Sequence, residues 1–248
     1  MKQIITFATC LFFYAASMAA SSTAGENNSK GQTSSHEKKQ KHGWVSLFNG
    51  KNLEGWTSVG KETPPVKGWT VEEGILTVNQ GGPKHGGDMI THEQYSDFDL
   101  RFEFRLTKAA NSGVKYLFTN YEKGGWLGSE YQVLDDDFHP DAKAGRNGNR
   151  KTASLYDIFP PGKKQMKPTG EWNTGRIVVK GSVVTHYLNG KKVLTYNRES
   201  EAYKDAVRRS KFKDSHPLFG TVKKGYIMLQ DHQDEVSYRN IRIKELGK

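Results

Sequence analysis

The chain has 248 residues, of which 35% are apolar and 11% aromatic, and it carries a formal net charge of +10. This composition is sufficient for one sizeable domain and excludes a collagen-like or wholly disordered chain. The basic residues are scattered, with clusters only at 38–41, 163–167 and 204–213. The charge therefore favours anionic surfaces or glycans at most, and we expect no nucleic-acid partner.

The N-terminal segment predicts export. Residues 1–19 contain one lysine, an apolar run and then small residues, which is the layout of a cleaved signal peptide. Small residues at Ser17 and Ala19, and again at Ser22 and Ala24, place cleavage after 19 or as late as 24. A membrane anchor is the alternative, but an apolar run of about 15 residues is short for a span. We expect a periplasmic or extracellular protein without a membrane span after cleavage. Cys10, the only cysteine, would be removed with the signal, which excludes a disulfide.

Residues 20–43 are almost free of large apolar side chains and predict a flexible linker, so the domain is expected over 44–248. Short strand patterns then follow one another between glycine-rich turns. The segment FDLRFEFRL (98–106) alternates with a period of two, which places its five apolar residues on one face of a strand.

Further strands are predicted at 112–118, 129–135, 153–159, 175–181, 183–196, 225–232 and 237–246. Hairpin turns are expected at Glu73-Gly74 and Asn189-Gly190, and one helix at about 199–209. About ten short strands and a single helix predict an all-β protein, a two-sheet sandwich of the jelly-roll type.

Several strands carry polar residues at alternate positions. Three such rows are Glu130 with Gln132, Gln230 with His232, and Arg101 with Glu103 and Arg105. If these strands are neighbours, the rows form one polar surface, with the aromatic residues Trp126, Tyr156 and Trp172 close by. Fixed polar groups beside aromatic rings suit a sugar, although a solvated outer sheet face has a similar pattern.

The ordered motifs SLFNGKNLEGW, DFDLRFEFR, NSGVKYLF, EYQVLDD, TASLYDIFPP, KPTGEWN, HYLNGKKV, GYIMLQDH and YRNIRIKEL resemble the 3-keto-disaccharide hydrolase domain family over nearly all of residues 44–246. The resemblance implies a concanavalin-like jelly roll that cleaves glycosides oxidised to a ketone at C3 of the sugar. The basic stretch 198–219 and the N-terminal tail depart from the family pattern and leave substrate size and partner open.

The implied chemistry needs a base for the C2 proton, donors for the enolate oxygen and an acid for the leaving oxygen. We predict Glu130 and His232 as the catalytic residues, and Lys115 as a candidate to stabilise the enolate. The predicted substrate-binding residues are Gln132, Tyr156, Gln230, Asn111, Lys115, Arg101, Glu103 and Trp172. Two alternatives remain: Glu130 forms an ion pair with Arg101 or Arg105, or it pairs with Glu103 for ordinary retaining hydrolysis.

The aspartate run 135–137 lacks the D-x-D-x-D-G spacing of a calcium loop and predicts a turn instead. We therefore expect no cofactor; the alternative is a calcium site completed by backbone carbonyls, which the ligand spacing does not support. Two other functions compete with the enzyme, a non-catalytic carbohydrate-binding module and a surface interaction domain. The titratable residues Glu130 and His232 favour the enzyme.

Overall fold

Two antiparallel sheets form the protein in the computed structural model, which describes residues 43–215 and 217–247. The predicted signal peptide and all but the last residue of the predicted linker lie outside the described residues. No helix of the described part is long and apolar enough to cross a membrane. The all-β, two-sheet prediction is confirmed.

The larger sheet has eight strands, in the order β11-β10-β9-β6-β13-β4-β3, with β1 paired to β13. Its strands are β1 (Val45–Ser46), β3 (Trp69–Glu72), β4 (Ile75–Val78), β6 (Phe98–Leu106), β9 (Asn173–Lys180), β10 (Val183–Leu188), β11 (Lys191–Asn197) and β13 (Val236–Glu245). The smaller sheet has the order β2-β5-β12-β7-β8. Its strands are β2 (Trp56–Ser58), β5 (Met89–Tyr95), β7 (Asn111–Tyr121), β8 (Gly125–Leu134) and β12 (Gly225–Leu229).

The apolar faces of the two sheets meet in one core. In β6 all five apolar residues are buried while Arg101, Glu103 and Arg105 are partly exposed, as the alternation predicts. Phe102 of the eight-stranded sheet contacts Tyr131 of the five-stranded sheet, with ring centroids 5.3 Å apart. Because side chains alternate along a strand, Tyr131 inside the core directs its neighbours Glu130 and Gln132 to the outer face of the five-stranded sheet.

Both predicted hairpins and the helix are present. Strands β3 and β4 flank Glu73-Gly74, and β10 and β11 flank Asn189-Gly190. The helix α1 (Glu201–Arg208) begins at Ser200, whose hydroxyl accepts the backbone N–H of Tyr203. It leads into the loop that begins at Arg209 and contributes to the outer face of the five-stranded sheet.

The predicted strand at 153–159 is wrong. Its backbone runs beside β8, where Ala153 N donates to Gln132 O at 2.9 Å and Tyr156 N donates to Glu130 O at 3.0 Å. However, Ala153 and Asp157 have φ values of 68° and 60°, which are left-handed and break a regular strand. The result is an irregular segment that brings the Tyr156 side chain over the outer face of the sheet.

Candidate active site

One polar cavity lies on the outer face of the five-stranded sheet. It is lined by Asn111, Lys115, Trp126, Leu127, Gly128, Glu130, Gln132, Tyr156, Lys211, Phe212, Gln230 and His232. Seven of the ten residues predicted to form the site therefore lie together. They come from β7, β8, the end of β12 and the irregular segment after β8.

Glu130 lies in the cavity floor opposite Lys115, its register partner in β7. The Lys115 Nζ lies 3.7 Å from Glu130 Oε2, and Glu130 is only 6% exposed. Burial raises the pKa of the Glu130 carboxyl, while the positive charges of Lys115 and Lys211 oppose that rise. Raising a carboxyl pKa towards neutrality strengthens it as a base, so the position suits proton abstraction.

Lys211 is a second lysine at this carboxylate, and it was missed from the sequence. Its backbone N–H donates to Asp157 Oδ2 at 2.7 Å, and its Nζ lies 4.2 Å from the ring centroid of Tyr156. Burial lowers the pKa of the Lys211 amine, and the charge of Glu130 opposes that shift. The only sequence signal was its place in the basic stretch 198–219, which a linear pattern does not connect to β8.

Asp88, just before β5, is a further acid that the sequence did not single out. Burial raises the pKa of its carboxyl, opposed first by the charge of Lys115. The backbone N–H of Asp231 donates to Asp88 Oδ1 at 2.9 Å, which ties this loop to the end of β12. Its charge in turn raises the pKa of Glu130.

His232 lies at the rim of the cavity, with 47% of its side chain exposed. Its Nε2 is 3.4 Å from Asn111 Nδ2, and its Nδ1 is 3.9 Å from Asp234 Oδ2. Asp234 Oδ2 also accepts the backbone N–H of Asn111 at 3.0 Å, which holds the carboxylate in place. With Asn111 Nδ2 as the donor, Nε2 is the acceptor, which assigns the proton of the neutral imidazole to Nδ1, on the side of Asp234.

Three buried polar atoms in the cavity lack a hydrogen-bond partner within the described protein. They are Asn111 Oδ1, Gln132 Nε2 and Gln230 Oε1. Buried polar groups are nearly always satisfied, so a cluster of unpaired ones indicates where a polar ligand binds. Tyr156, in contrast, is already engaged, since its hydroxyl donates to Asp141 Oδ2 at 2.8 Å.

Arg101, Glu103 and Trp172 do not join the cavity. They lie on the eight-stranded sheet or beside it, so the expectation that their polar row adjoins that of Glu130 is wrong. Glu103 accepts bonds from Arg239 and Asn240 at 2.7 and 2.8 Å.

The same separation removes the two alternatives for Glu130. The partner of Glu130 is Lys115 rather than Arg101 or Arg105, and Glu103, on the other sheet, cannot form a retaining pair with it. Arg101 binds Asp99 and stacks over Trp44, while the guanidinium groups of Arg105 and Arg239 lie over the Trp172 ring.

The aspartate run 135–137 forms a turn, as predicted, in which the carboxylates accept backbone N–H groups. Asp135 Oδ1 accepts the backbone N–H of Asp137 at 3.1 Å, and its Oδ2 accepts that of Ala109 at 2.8 Å. Asp136 is bound to Lys164 and to the backbone N–H of Thr152.

One group among the described residues has metal-ligand spacing: His139, His232 and Asp234, whose ligand atoms lie within 4.8 Å of one another. His139 fits a metal poorly, because its Nδ1 accepts the backbone N–H of Asp141 at 3.1 Å. The neutral imidazole then carries its proton on Nε2, the nitrogen that faces Asp234 at 3.9 Å.

The fold and the cavity define a jelly-roll protein whose outer sheet face carries a buried carboxylate, two lysines and a histidine suited to acid/base chemistry. A family model for the 3-keto-alpha-glucoside-1,2-lyase-like domain matches residues 43–244, and the chain belongs to that family. The resemblance inferred from the motifs is thereby confirmed.

Individual relatives agree with this assignment. The 3-keto-disaccharide hydrolase of Bacteroides thetaiotaomicron is 38% identical over 229 residues, which cover 82% of this chain and 79% of that protein. A crystal structure of a candidate glycosyl hydrolase from Parabacteroides distasonis superposes with a TM-score of 0.72 at 32% identity, covering 83% of this chain and 94% of that one. A second from the same organism has a TM-score of 0.63 at 25% identity, covering 82% and 100%. The chain is a hydrolase of carbohydrate metabolism.

Proposed function

We propose that the protein cleaves 3-keto-glycosides by abstracting the C2 proton, eliminating the glycosidic oxygen and adding water, which amounts to hydrolysis. The observation that carries the proposal is the buried carboxylate of Glu130, 3.7 Å from the Lys115 ammonium, in a polar cavity that Lys211 also lines. A ketone at C3 acidifies the C2 proton, and a carboxylate with a raised pKa is a stronger base for it.

The C2 proton passes to Glu130, and the electron pair of the C–H bond forms the enolate, whose oxygen the ammonium groups of Lys115 and Lys211 stabilise. The enolate then expels the C1–O bond, and His232 protonates the departing oxygen. Water adds to C1 of the unsaturated ketone and gives its proton back to His232, while Glu130, whose proton has exchanged with solvent, protonates C2. Each positioned charge or donor contributes about 3–4 kcal/mol to stabilising the transition state.

The substrate class rests on both the chemistry and the relatives. The relative from Bacteroides thetaiotaomicron is named for 3-keto-disaccharides, and the family model for a 3-keto-alpha-glucoside. The unpaired amide atoms of Asn111, Gln132 and Gln230 are suited to bind the hydroxyls of the keto sugar. We propose the same class of substrate here, and, from the signal-like residues 1–19, action in the periplasm or outside the cell.

The test compares a 3-keto-disaccharide with the parent disaccharide, using the purified protein and following the release of free sugar. We expect cleavage of the keto substrate only, because without the ketone the C2 proton is too weak an acid. In heavy water the product should carry deuterium at C2. Equal cleavage of both sugars, or no carbon-bound deuterium, would contradict the elimination, and binding without cleavage would favour a carbohydrate-binding module.

A further inference from the structure

A basic groove adjoins the active-site cavity. Six of its nine lining residues are basic and one is acidic, Asp157. The basic residues are Arg146, Arg150, Arg208, Arg209, Lys211 and Lys213. They come from the loop after β8 and from the end of α1 with the following loop, two segments distant in the sequence.

The groove and the cavity are adjacent and share one lining residue. Lys211 lines both, and its Nζ lies 4.2 Å from the centroid of the Tyr156 ring. Arg150, a groove residue, lies 5.5 Å from the centroid of the same ring. A molecule whose reacting carbon lies at Glu130 can therefore extend past Lys211 and Tyr156 into the groove.

Part of the positive charge is neutralised within the protein. Arg150 pairs with Asp141 and Asp157, Arg208 with Asp205, and Lys213 with Asp214.

Arg146, Arg209 and Lys211 have no carboxylate within ion-pair distance among the residues that the structure describes. Two hydrogen bonds join the two segments: the Arg146 guanidinium donates to the backbone O of Arg209, and the Lys211 backbone N–H donates to Asp157 Oδ2 at 2.7 Å. The first bond brings two uncompensated guanidinium groups to the same stretch of the groove, where Arg146 and Arg209 are both exposed.

We infer that the substrate carries an anionic group, such as a carboxylate, sulfate or phosphate, beyond the reacting keto ring, and that Arg146 and Arg209 bind it. The inference rests on the proposed function. The planar guanidinium matches the oxygens of these anions, and a cleft of one charge sign raises the local concentration of a counter-charged ligand. This places the basic stretch 198–219, which departs from the family pattern, at the entrance to the active site.

The anionic group has two sources, the leaving group or C6 of the keto sugar, and two substrate pairs distinguish them. One pair is a 3-keto-glucoside of 4-hydroxybenzoate and the same compound as its uncharged amide. The other is a phenyl 3-keto-glucuronide and its uncharged amide. In the pair whose anionic group lies at the position that the groove binds, we expect kcat/KM at ~10 mM salt to be at least about 10-fold higher for the anion than for the amide. This preference for the anion should shrink at ~500 mM salt.

The variants Arg146→Gln and Arg209→Gln should each reduce this preference about 3- to 5-fold while leaving turnover of the neutral amide unchanged. Arg242→Gln removes the same charge on the eight-stranded sheet and should change neither value. Equal kcat/KM for anion and amide in both pairs would overturn the inference while leaving the proposed function intact. A preference that survives both groove variants would overturn it too. Failure to cleave any of the four compounds would overturn the proposed function and the inference together.

Discussion

Gly113 and Glu130 lie against each other on the neighbouring strands β7 and β8, so closely that a Cβ on Gly113 would stand 2.5 Å from Glu130 Oε1. No side chain fits there without displacing the carboxylate. Gly113 has no left-handed φ, so space rather than backbone conformation requires the glycine. Because residue 113 of β7 has no side chain, the Glu130 carboxylate can lie over this position, beside Lys115.

Gly113→Ala should therefore lower kcat/KM about 10²-fold, because a displacement of the catalytic group by about 1 Å is enough for such a loss. The protein should still fold, since the Glu130 side chain can turn away from the new methyl group. The measurement is turnover of a 3-keto-disaccharide together with thermal unfolding. Gly43→Ala is the control, because a Cβ there meets nothing within 4 Å. Wild-type turnover in Gly113→Ala would show that the position of the carboxylate is unimportant.

Glu130→Gln should lower turnover of a 3-keto-glycoside by about 10²–10⁴-fold, because it keeps the size and the hydrogen-bonding shape of the side chain but removes the base. The melting temperature should change little.

Glu103→Gln makes the same chemical change on the eight-stranded sheet, where Glu103 binds Arg239 and Asn240. It should retain full activity. Similar losses in both variants would refute the assignment of Glu130 as the base.

Removing either lysine at the carboxylate should shift the pH dependence in a defined direction. Burial raises the pKa of Glu130, and Lys115 and then Lys211 oppose the rise. Without one of these charges the Glu130 pKa rises further, so the ionised base appears only at higher pH. The acid limb of the pH profile of kcat/KM should move to higher pH in Lys115→Met and in Lys211→Met.

Lys224→Met, just before β12 and outside the lining of the cavity, is the control and should leave the profile in place. An acid limb that stays at the wild-type pH in both lysine variants would mean that another group than Glu130 governs it.

Local patterns were enough for part of this molecule. The alternation in β6, the two hairpin turns and the helix at about 199–209 depend on neighbouring residues only, and all four were predictable. Pairing between distant strands leaves no such local mark. The polar row Arg101-Glu103-Arg105 was therefore assigned to the same surface as Glu130, although β6 and β8 belong to different sheets.

The candidate site shows the same limit. Glu130 and Gln132 were found because they alternate within one strand, whereas Lys211 and Asp88, whose charges shift the pKa of Glu130, lie in loops. The strand predicted at 153–159 failed because left-handed residues at Ala153 and Asp157 break it, and neither is a glycine that would signal this.

Trp172→Ala should leave activity unchanged, in contrast to the role predicted for Trp172 from the sequence. The indole is partly exposed, and the guanidinium carbons of Arg105 and Arg239 lie 4.8 and 4.1 Å from its ring centroid. Losing these contacts should cost about 1–2 kcal/mol of unfolding free energy. Denaturant unfolding and a kcat/KM measurement test both statements. A fall in kcat/KM without a loss of stability would support the substrate-binding role predicted for Trp172 from the sequence.

His186 should make the stability of the protein depend on pH. It is fully buried in the core, where its Nε2 accepts the Tyr116 hydroxyl at 2.8 Å and its Nδ1 donates to Ala153 O at 3.0 Å. Burial lowers the pKa of this imidazole to about 4. An unfolded histidine has a pKa of about 6.5, so between these values the unfolded chain binds the proton and the folded one does not. This contribution is complete above pH ~6.5 and is lost as the pH falls towards 4, where the loss amounts to about 3 kcal/mol.

Other groups titrate over the same range, so the measurement is the difference in unfolding free energy between the wild type and His186→Gln. The glutamine amide can still accept from Tyr116 but takes up no proton. At pH 8 we expect the variant to be less stable by about 1–3 kcal/mol, because its packing and its bond to Ala153 are imperfect. That deficit should shrink steadily below pH ~6.5 and approach zero, or reverse, near pH 4. A deficit that stays constant from pH 8 to pH 4 would show that His186 has the same pKa in both states, and that its burial carries no electrostatic cost.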